Sequence, residues 1–360
     1  MGGNEDRVDP AFLPEEIEHV GGAFEEDAGG DALDGDERGG LWNHEMTLSC
    51  RWGGATARSC HTLEKEQGCR AWAAPHHWGW WGACRGGRRV EWWGMAEPDF
   101  SRDALILAGH GSTVNIDSST PVWAQAERIK AMRVFREVHV GLWKEAPSFR
   151  EALAAARAER VFIAPMFTAE GYFTLEVLPR EFGLEGRVTR REGREIIYCD
   201  PLGLHPYMAE ALLKSAQQVV AGTPVDPAQT CLLVAGHGTP RNPNSRAVVF
   251  DVVTRLQAAG AYADCQAAFM EEEPFLKDWT ALTPCKNVVV VPYFISDGLH
   301  AAEDIPVMLG ITRSVREEGF RNPTPIDGRR IWYARSLGSE PRVAEVILAL
   351  VRDAVRGLPS

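Results

Sequence analysis

Short apolar runs alternate with amphipathic segments along most of the chain after residue 100. In the first half, the runs predict strands near residues 104–108, 136–141, 160–166 and 195–199, with helices near 120–134, 147–158, 174–182 and 206–220. In the second half, they predict strands near 231–235, 263–269, 287–293 and 330–335, with helices near 245–259, 275–282, 301–309 and 341–356. Alternation with such short connections predicts an α/β fold with right-handed parallel units.

The alternating pattern occurs twice. The string AGHG stands at residues 108–111 and again at 235–238, 127 residues later. The same spacing relates Pro165 to Pro292 and continues without gaps until about residue 310, after which the offset rises to 135. We therefore predict two tandem domains with parallel sheets, residues 95–222 and 229–360, with a linker at 221–229.

Each AGHG ends a buried apolar run, so its histidine should lie just beyond the carboxyl end of a strand. Ligands bind at that edge in open α/β sheets. When the halves are overlaid, His110 matches His237, Lys144 matches Glu271 and Phe173 matches His300. Only the second half then has two histidines and a glutamate following three successive strands, and we expect these three side chains to converge.

Two neutral imidazoles and a carboxylate suit a first-row divalent metal, and they also suit proton removal near neutral pH. The alternative is that each histidine only ends a strand and bonds to backbone. Three polar groups at one edge favour the metal site. Because Glu272 and Glu273 adjoin Glu271, a register shift of one residue would change which glutamate faces the site. Asp304 lies four residues after His300 and is either a partner of the ring or a charge at the helix start.

Another loop with candidate ligand-binding residues follows the second AGHG. The loop at 239–246 holds Arg241 and Arg246, which either contact a carboxylate-rich ligand or are solvated charges. Neither AGHGST nor AGHGTP has the spacing of a phosphate-binding glycine loop, and no GxSxG motif occurs, so nucleotide binding and serine hydrolase chemistry have no support.

The first 94 residues differ from the rest. Residues 1–38 hold 13 acidic and 2 basic side chains and predict a disordered extension, while residues 39–94 contain eight of the twelve tryptophans. One hypothesis is a small metal-binding module that uses Cys50, Cys60, Cys69 and Cys84 with the nearby His61, His76 and His77. The other is that translation starts at Met95, and it is favoured because no CxxC pair occurs.

Bulk properties exclude several classes. No apolar stretch is long enough for a membrane span, no secretory signal is evident, and no cluster of Lys and Arg indicates a nucleic-acid surface. Four further cysteines (Cys199, Cys231, Cys265 and Cys285) fall in strand-like runs and should be small buried residues. A cytoplasmic protein is expected.

The second half resembles one family at four separated motifs: GHGTPRNPNS at 236–245, FMEEEP at 269–274, VVVVPYFISDGLHAAEDIP at 288–306 and IWYARSLGSEP at 331–341. These are similar to the CbiX-type cobaltochelatases, which belong with the sirohydrochlorin chelatases that need no ATP. GHGST, FREVHVGLWKEAPSFREAL and VFIAPMFTAEGYFTLEVLP in the first half resemble the N-terminal domain of two-domain members. The resemblance covers about residues 104–356.

The resemblance implies two flavodoxin-like domains facing a cleft and insertion of Co²⁺, or Fe²⁺ in siroheme synthesis, into sirohydrochlorin. It implies that His237 and His300 handle metal and protons with help from Glu271, and that His110 is auxiliary. Lys144, which departs from the metal-ligand pattern, suits a substrate carboxylate, as do Arg241 and Arg246.

Beyond the substrate metal (Co²⁺, with Fe²⁺ or Ni²⁺ also accepted by such ligands), no cofactor is expected, and a monomer or homodimer is expected. The alternatives are a non-catalytic carrier of metal or tetrapyrrole and, with less support, a metal-dependent hydrolase. Cobalamin and siroheme synthesis both stay open.

Overall fold

The structure is a computed structural model that describes residues 98–223, 225–312 and 321–357. The predictions for the N-terminal extension, including the cysteine site and the start at Met95, lie outside the described residues. Both halves of the repeat fall within one compact unit, residues 92–360. Within the described ranges, no helix is long and apolar enough to cross a membrane.

Each half contains one five-stranded sheet. The first half has strands β1 (Ala104–Gly109), β2 (Glu137–Leu142), β3 (Arg160–Pro165), β4 (Val188–Arg191) and β5 (Arg194–Tyr198). The second has β6 (Thr230–Gly236), β7 (Asp264–Phe269), β8 (Asn287–Pro292), β9 (Thr324–Ile326) and β10 (Arg329–Tyr333). The strand orders are β2-β1-β3-β5-β4 and β7-β6-β8-β10-β9, so the second sheet repeats the first.

Helices connect the strands. The first half has α1 (Thr120–Met132), α2 (Phe149–Ala155), α3 (Leu178–Phe182) and α4 (Met208–Val219). The second half has α5 (Pro243–Ala259), α6 (Trp279–Leu282), α7 (Ile305–Met308) and α8 (Val343–Arg356). A π-helical turn precedes α3 at Phe173–Val177 and α7 at His300–Asp304. The α/β class and the tandem flavodoxin-like arrangement agree with the prediction.

The sheets are mixed, whereas the sequence predicted parallel sheets only. Strands β4 and β9 pair antiparallel with β5 and β10 at one edge of each sheet. Glu192-Gly193 and Asp327-Gly328 form the turns, with positive φ at all four residues. Such turns suit a two-residue hairpin. The two edge strands were missed because they are short and only partly buried.

Side-chain alternation along the central strands divides the core. Leu105 and Leu107 of β1 belong to a cluster shared by both halves, while Ile106 packs on the outer face against α2 and α3. Strand β6 repeats this division, with Leu232 in the shared cluster and Leu233 in an outer cluster with α6 and α7. Apolar burial on both faces explains why these strands read as continuous apolar runs.

Polar contacts join the two halves in matched pairs. His205 Nε2 lies 3.4 Å from Asp353 Oδ2, and Gln218 Nε2 donates to Glu340 Oε1 at 3.4 Å. Because His205 matches Glu340 and Gln218 matches Asp353 at the offset of 135, these are equivalent contacts made twice. Burial lowers the pKa of His205 despite the neighbouring carboxylate.

The prediction of small buried cysteines is confirmed for three of the four. Cys199, Cys231 and Cys265 are free and buried, and Cys285 is half-buried. Burial raises the pKa of the Cys199 thiol to about 12, which makes it a poor nucleophile.

Gly338 lies where the loop after β10 crosses the loop after β8. A Cβ there would overlap the carbonyl group of Ile295. Because this group belongs to the backbone, it cannot move away by a change of side-chain rotamer. We expect Gly338→Ala to lower the free energy of unfolding by about 3 kcal/mol in urea denaturation. Gly357→Ala is the control, since its Cβ would meet nothing closer than 3.5 Å. Equal stability of the two variants would contradict this packing.

Candidate metal site at a sheet edge

The first candidate ligand, His237, follows β6 directly. Its Nδ1 is 2.7 Å from the carbonyl oxygen of Gly238, whose φ of +65° is in the left-handed region that glycine adopts without strain. A carbonyl oxygen only accepts, so Nδ1 carries the hydrogen and the lone pair is on Nε2. The local backbone therefore fixes the tautomer that binds metal through Nε2.

The second candidate ligand, His300, begins the π-helical turn after β8. Its Nδ1 donates to Asp304 Oδ2 at 2.7 Å, which again leaves the lone pair on Nε2. A carboxylate on the far nitrogen orients a metal-binding imidazole and makes it more basic. Asp304 is therefore a partner of the His300 ring and not only a charge at the helix start.

The carboxylate of the trio is Glu271. Its Oε1 is 3.8 Å from His237 Nε2. The neighbouring Glu272 turns the other way: it accepts a hydrogen bond from the backbone N–H of Thr239 at 2.9 Å and lies 3.4 Å from Arg246. The register question left open by the sequence is thus answered by loop geometry, because Glu272 holds the histidine loop and Glu271 faces the ring.

His237 and His300 flank the point where the strand order reverses. The connection from β6 runs to one side of the sheet and the connection from β8 to the other, which makes a ligand crevice at their carboxyl ends. The two imidazole rings are 5.2 Å apart between centroids and both are partly exposed. No group of three or more His, Cys, Asp or Glu side chains in the described part of the chain is arranged to hold a metal ion, so His237, His300 and Glu271 do not form a preassembled metal site.

The equivalent edge of the first half has a different character. His110 repeats the bond of His237, with Nδ1 2.8 Å from the carbonyl oxygen of Gly111. Its neighbour is the edge of the Phe173 ring at a centroid distance of 4.8 Å, where the second half has His300. Lys144 is exposed, with Nζ 5.7 Å from the centre of the Trp143 ring. The first edge therefore offers one imidazole where the second offers two imidazoles and a carboxylate.

The loop that presents His300 is anchored by Asp297. Its carboxylate accepts hydrogen bonds from the Ser336 backbone and the Ser339 hydroxyl and pairs with Arg335. Burial alone would raise the pKa of Asp297, but these hydrogen bonds outweigh it and hold the pKa low. In the first half, Asp200, Pro201 and Leu204 stand where the second half has Arg335, Ser336 and Ser339. These three residues have no guanidinium, no hydroxyl group and, at Pro201, no backbone N–H to donate. Only the second edge therefore has this support.

The carboxyl edges of the two sheets adjoin. Asn242 Nδ2, five residues after His237, donates to the carbonyl oxygen of Glu170 at 2.8 Å. On the other side, a Cβ on Gly298 would lie 3.2 Å from Ser118 Oγ, so these two loops are also in contact. Each histidine loop thus touches the loop after the third strand of the other half.

The basic residues proposed to bind substrate carboxylates lie near this edge and differ in the contacts that they already make. Arg241 and Arg246 are both exposed, and Arg246 in addition packs over Phe250 at 5.2 Å and pairs with Glu272. Arg246 therefore has a clear role in the loop itself, and contact with a substrate carboxylate stays a prediction for it, for Arg241 and for Lys144.

One pair of functional residues was missed from the sequence. Glu145 of the first half accepts from Ser112 N at 2.7 Å, as Glu272 accepts from Thr239 N, so both glutamates hold their histidine loops. The signal was available, because these two glutamates match at the offset of 127.

A family model matches the chain twice. The model, described as CbiX, covers residues 104–219 and again residues 231–354. A relative from Halobacterium salinarum, named probable sirohydrochlorin cobaltochelatase, is 37% identical over 268 residues, which span 70% of this chain and 91% of that protein. A sirohydrochlorin cobaltochelatase from Methanopyrus kandleri is 31% identical over 138 residues, spanning 34% of this chain and 96% of that protein.

A solved structure is also similar. A multi-domain protein of Deinococcus radiodurans, described as structurally similar to chelatases with two additional domains, is 28% identical with a TM-score of 0.59. The match covers 69% of this chain and 54% of that one, so the chain spans about half the length of the Deinococcus protein.

The shared backbone predicts that the first edge can be converted. Because His110 already presents Nε2, the double variant Phe173→His/Lys144→Glu should supply the two missing ligands, and its ion should bind more weakly than at the second edge because Val177 stands where the second half has Asp304. We expect calorimetric titration with Co²⁺ to give about two ions per chain in place of one. Phe173→His/Lys286→Glu, with the same charge change near the amino end of β8, is the control and should bind one. Equal stoichiometry in both double variants would contradict the proposed equivalence of the edges.

Proposed function

The chain belongs to the CbiX family, and on that premise we propose that it inserts a divalent metal, Co²⁺, into sirohydrochlorin without ATP. The observation that carries the proposal is the pair of imidazoles, each with its Nδ1 hydrogen engaged and its Nε2 lone pair available, beside Glu271 at the crevice of the second sheet. Family relatives named as sirohydrochlorin cobaltochelatases support the substrate.

Metal capture is the first step. His237 Nε2 and His300 Nε2 bind Co²⁺ while water fills the remaining positions, with Glu271 as a third ligand. Both histidines and the glutamate are partly exposed, so the ion enters from solvent and its ligands exchange readily. A closed cage would hold the ion too tightly for transfer, whereas an open set of three ligands releases it.

Proton removal is the second requirement. Insertion replaces two pyrrole N–H hydrogens by one divalent ion, so two protons leave for each metal that enters. As pyrrole nitrogens take over the metal, each imidazole recovers its Nε2 lone pair and becomes a base close to the remaining N–H. Glu271 accepts a proton in the same place, and its exposure returns that proton to solvent.

The first half closes the other side of the crevice in this proposal. His110 is an auxiliary group, while Lys144, Arg241 and Arg246 attract substrate carboxylates. Imidazole and carboxylate ligands also accept Fe²⁺ and Ni²⁺, and the choice of Co²⁺ rests on the names of the relatives.

Removing either imidazole should stop insertion. We expect His237→Ala and His300→Ala each to lower the rate of Co²⁺-dependent absorbance change of sirohydrochlorin by about a hundredfold or more. His110→Ala is the matched control, since it has the same backbone setting at the other edge, and should retain most activity. Full activity of His300→Ala would overturn the proposal. Stoichiometric binding of Co²⁺ without turnover by the unaltered chain would indicate a carrier.

The carboxylate on His300 has its own test. Asp304→Ala removes the acceptor that fixes the Nδ1–H tautomer, and should lower kcat by about tenfold or more. Asp304→Asn keeps an acceptor oxygen and should recover most of that loss. The measurement is initial rate against sirohydrochlorin concentration, with KM little changed in both variants. Equal losses in the two variants would contradict a tautomer-fixing role.

A further inference from the structure

The structure assigns a binding role to the edge of the first half that lost its metal ligands. We propose that its aromatic cluster, defined as Trp143, Phe167, Tyr172 and Phe173, binds one face of the tetrapyrrole ring, so that metal enters from the opposite face. The inference rests on the proposed function for the identity of the ring.

Phe173 is the centre of the cluster. Its ring stacks on Phe167 at 5.8 Å with an interplanar angle of 17°, and it meets Trp143 edge-on at 6.3 Å and Tyr172 at 6.1 Å. Trp143 and Phe167 also pack against the outer apolar cluster of the first half, so the four rings form one group that the core of this half supports.

The cluster is partly open to solvent. Tyr172 is 66% exposed, and Leu175 on the same π-helical turn is 57% exposed. Leu299, at the position of the second half that matches Tyr172, is also exposed. Large apolar side chains that are exposed side by side on one turn, as Tyr172 and Leu175 are, suit contact with an apolar ligand. A flat, largely apolar ring is the ligand class that an aromatic surface suits.

The position of the cluster favours a ligand shared with the metal site. Tyr172 and Phe173 directly follow Gly171, and a Cβ on Gly171 would lie 2.8 Å from Asn242 Nδ2. Asn242 belongs to the loop that begins with His237. The turn that bears the aromatic rings is therefore in contact with the loop that bears the first metal ligand.

The charge at this edge agrees with a tetrapyrrole carboxylate. Lys144 Nζ lies beside the Trp143 ring, and no ion pair of Lys144 occurs among the residues described. In the second half the matching residue is the acidic Glu271. An apolar surface with a cation at its rim holds the ring and its side-chain carboxylates, while the His/His/Glu edge repels carboxylates and attracts the cation.

Binding of the ring without metal tests the platform. Metal-free sirohydrochlorin is titrated into the protein under argon and its absorbance is followed. We expect Tyr172→Ala and Phe173→Leu each to raise Kd by about tenfold, because each loses an aromatic contact with the ring. Met132→Ala is the control, since Met132 is an exposed apolar residue at the far end of α1.

A second titration, with Co²⁺ alone, separates the platform from the metal site. Unchanged Co²⁺ affinity together with weaker ring binding in Tyr172→Ala and Phe173→Leu would support the proposal, and it would also show that the variants are folded. Unchanged ring affinity in both variants would overturn it. If the unaltered chain binds the ring through Tyr172 but shows no turnover, the platform stands and the proposed function fails.

Discussion

The hydrogen bond between each strand-end histidine and the glycine after it is the constraint on which the candidate site depends. It holds Nδ1 of His237 at 2.7 Å and of His110 at 2.8 Å from a glycine carbonyl oxygen. The left-handed conformation of that glycine turns the carbonyl toward the ring, and a Cβ on Gly238 would lie 2.8 Å from Glu272. One backbone bond thus sets the tautomer, and Nε2 is left for chemistry.

Both halves have this hydrogen bond between histidine and glycine, and they differ in the side chains around the imidazole ring. The backbone, the glutamate that holds each loop and the contacts between halves are duplicated, but the groups around the imidazole differ. His300 has a carboxylate partner in Asp304 and a loop anchored by Asp297, whereas Phe173 packs among aromatic rings. The duplication therefore yields one edge lined by imidazoles and carboxylates and one edge lined by aromatic rings.

Much of the fold could be predicted from the sequence because the central strands are buried on both faces. Their apolar runs predicted eight of the strands, and the gap-free repeat placed His237, Glu271 and His300 at one edge. The edge strands β4 and β9 could not be found this way, because they are short and partly exposed. Only the Glu-Gly and Asp-Gly turns marked them.

The directions of the loop side chains also could not be predicted from the pattern of apolar and polar residues. Alternation along a strand gives no rule for the residues after its end, so the sequence does not distinguish Glu271 from Glu272, whereas the bond from Thr239 N to Glu272 does. The contact between Asn242 and Glu170 joins residues 72 positions apart, and no local pattern signals it. The adjacency of the two edges is a product of tertiary packing alone.

Anomalous diffraction at the cobalt edge, from crystals of the protein grown with Co²⁺, tests the central claim most directly. The account predicts one strong cobalt peak per chain, bonded to Nε2 of both His237 and His300, and none at His110. Peaks of equal height at the two sheet edges, or a cobalt ion bound to His110 alone, would contradict a single metal site in the second half.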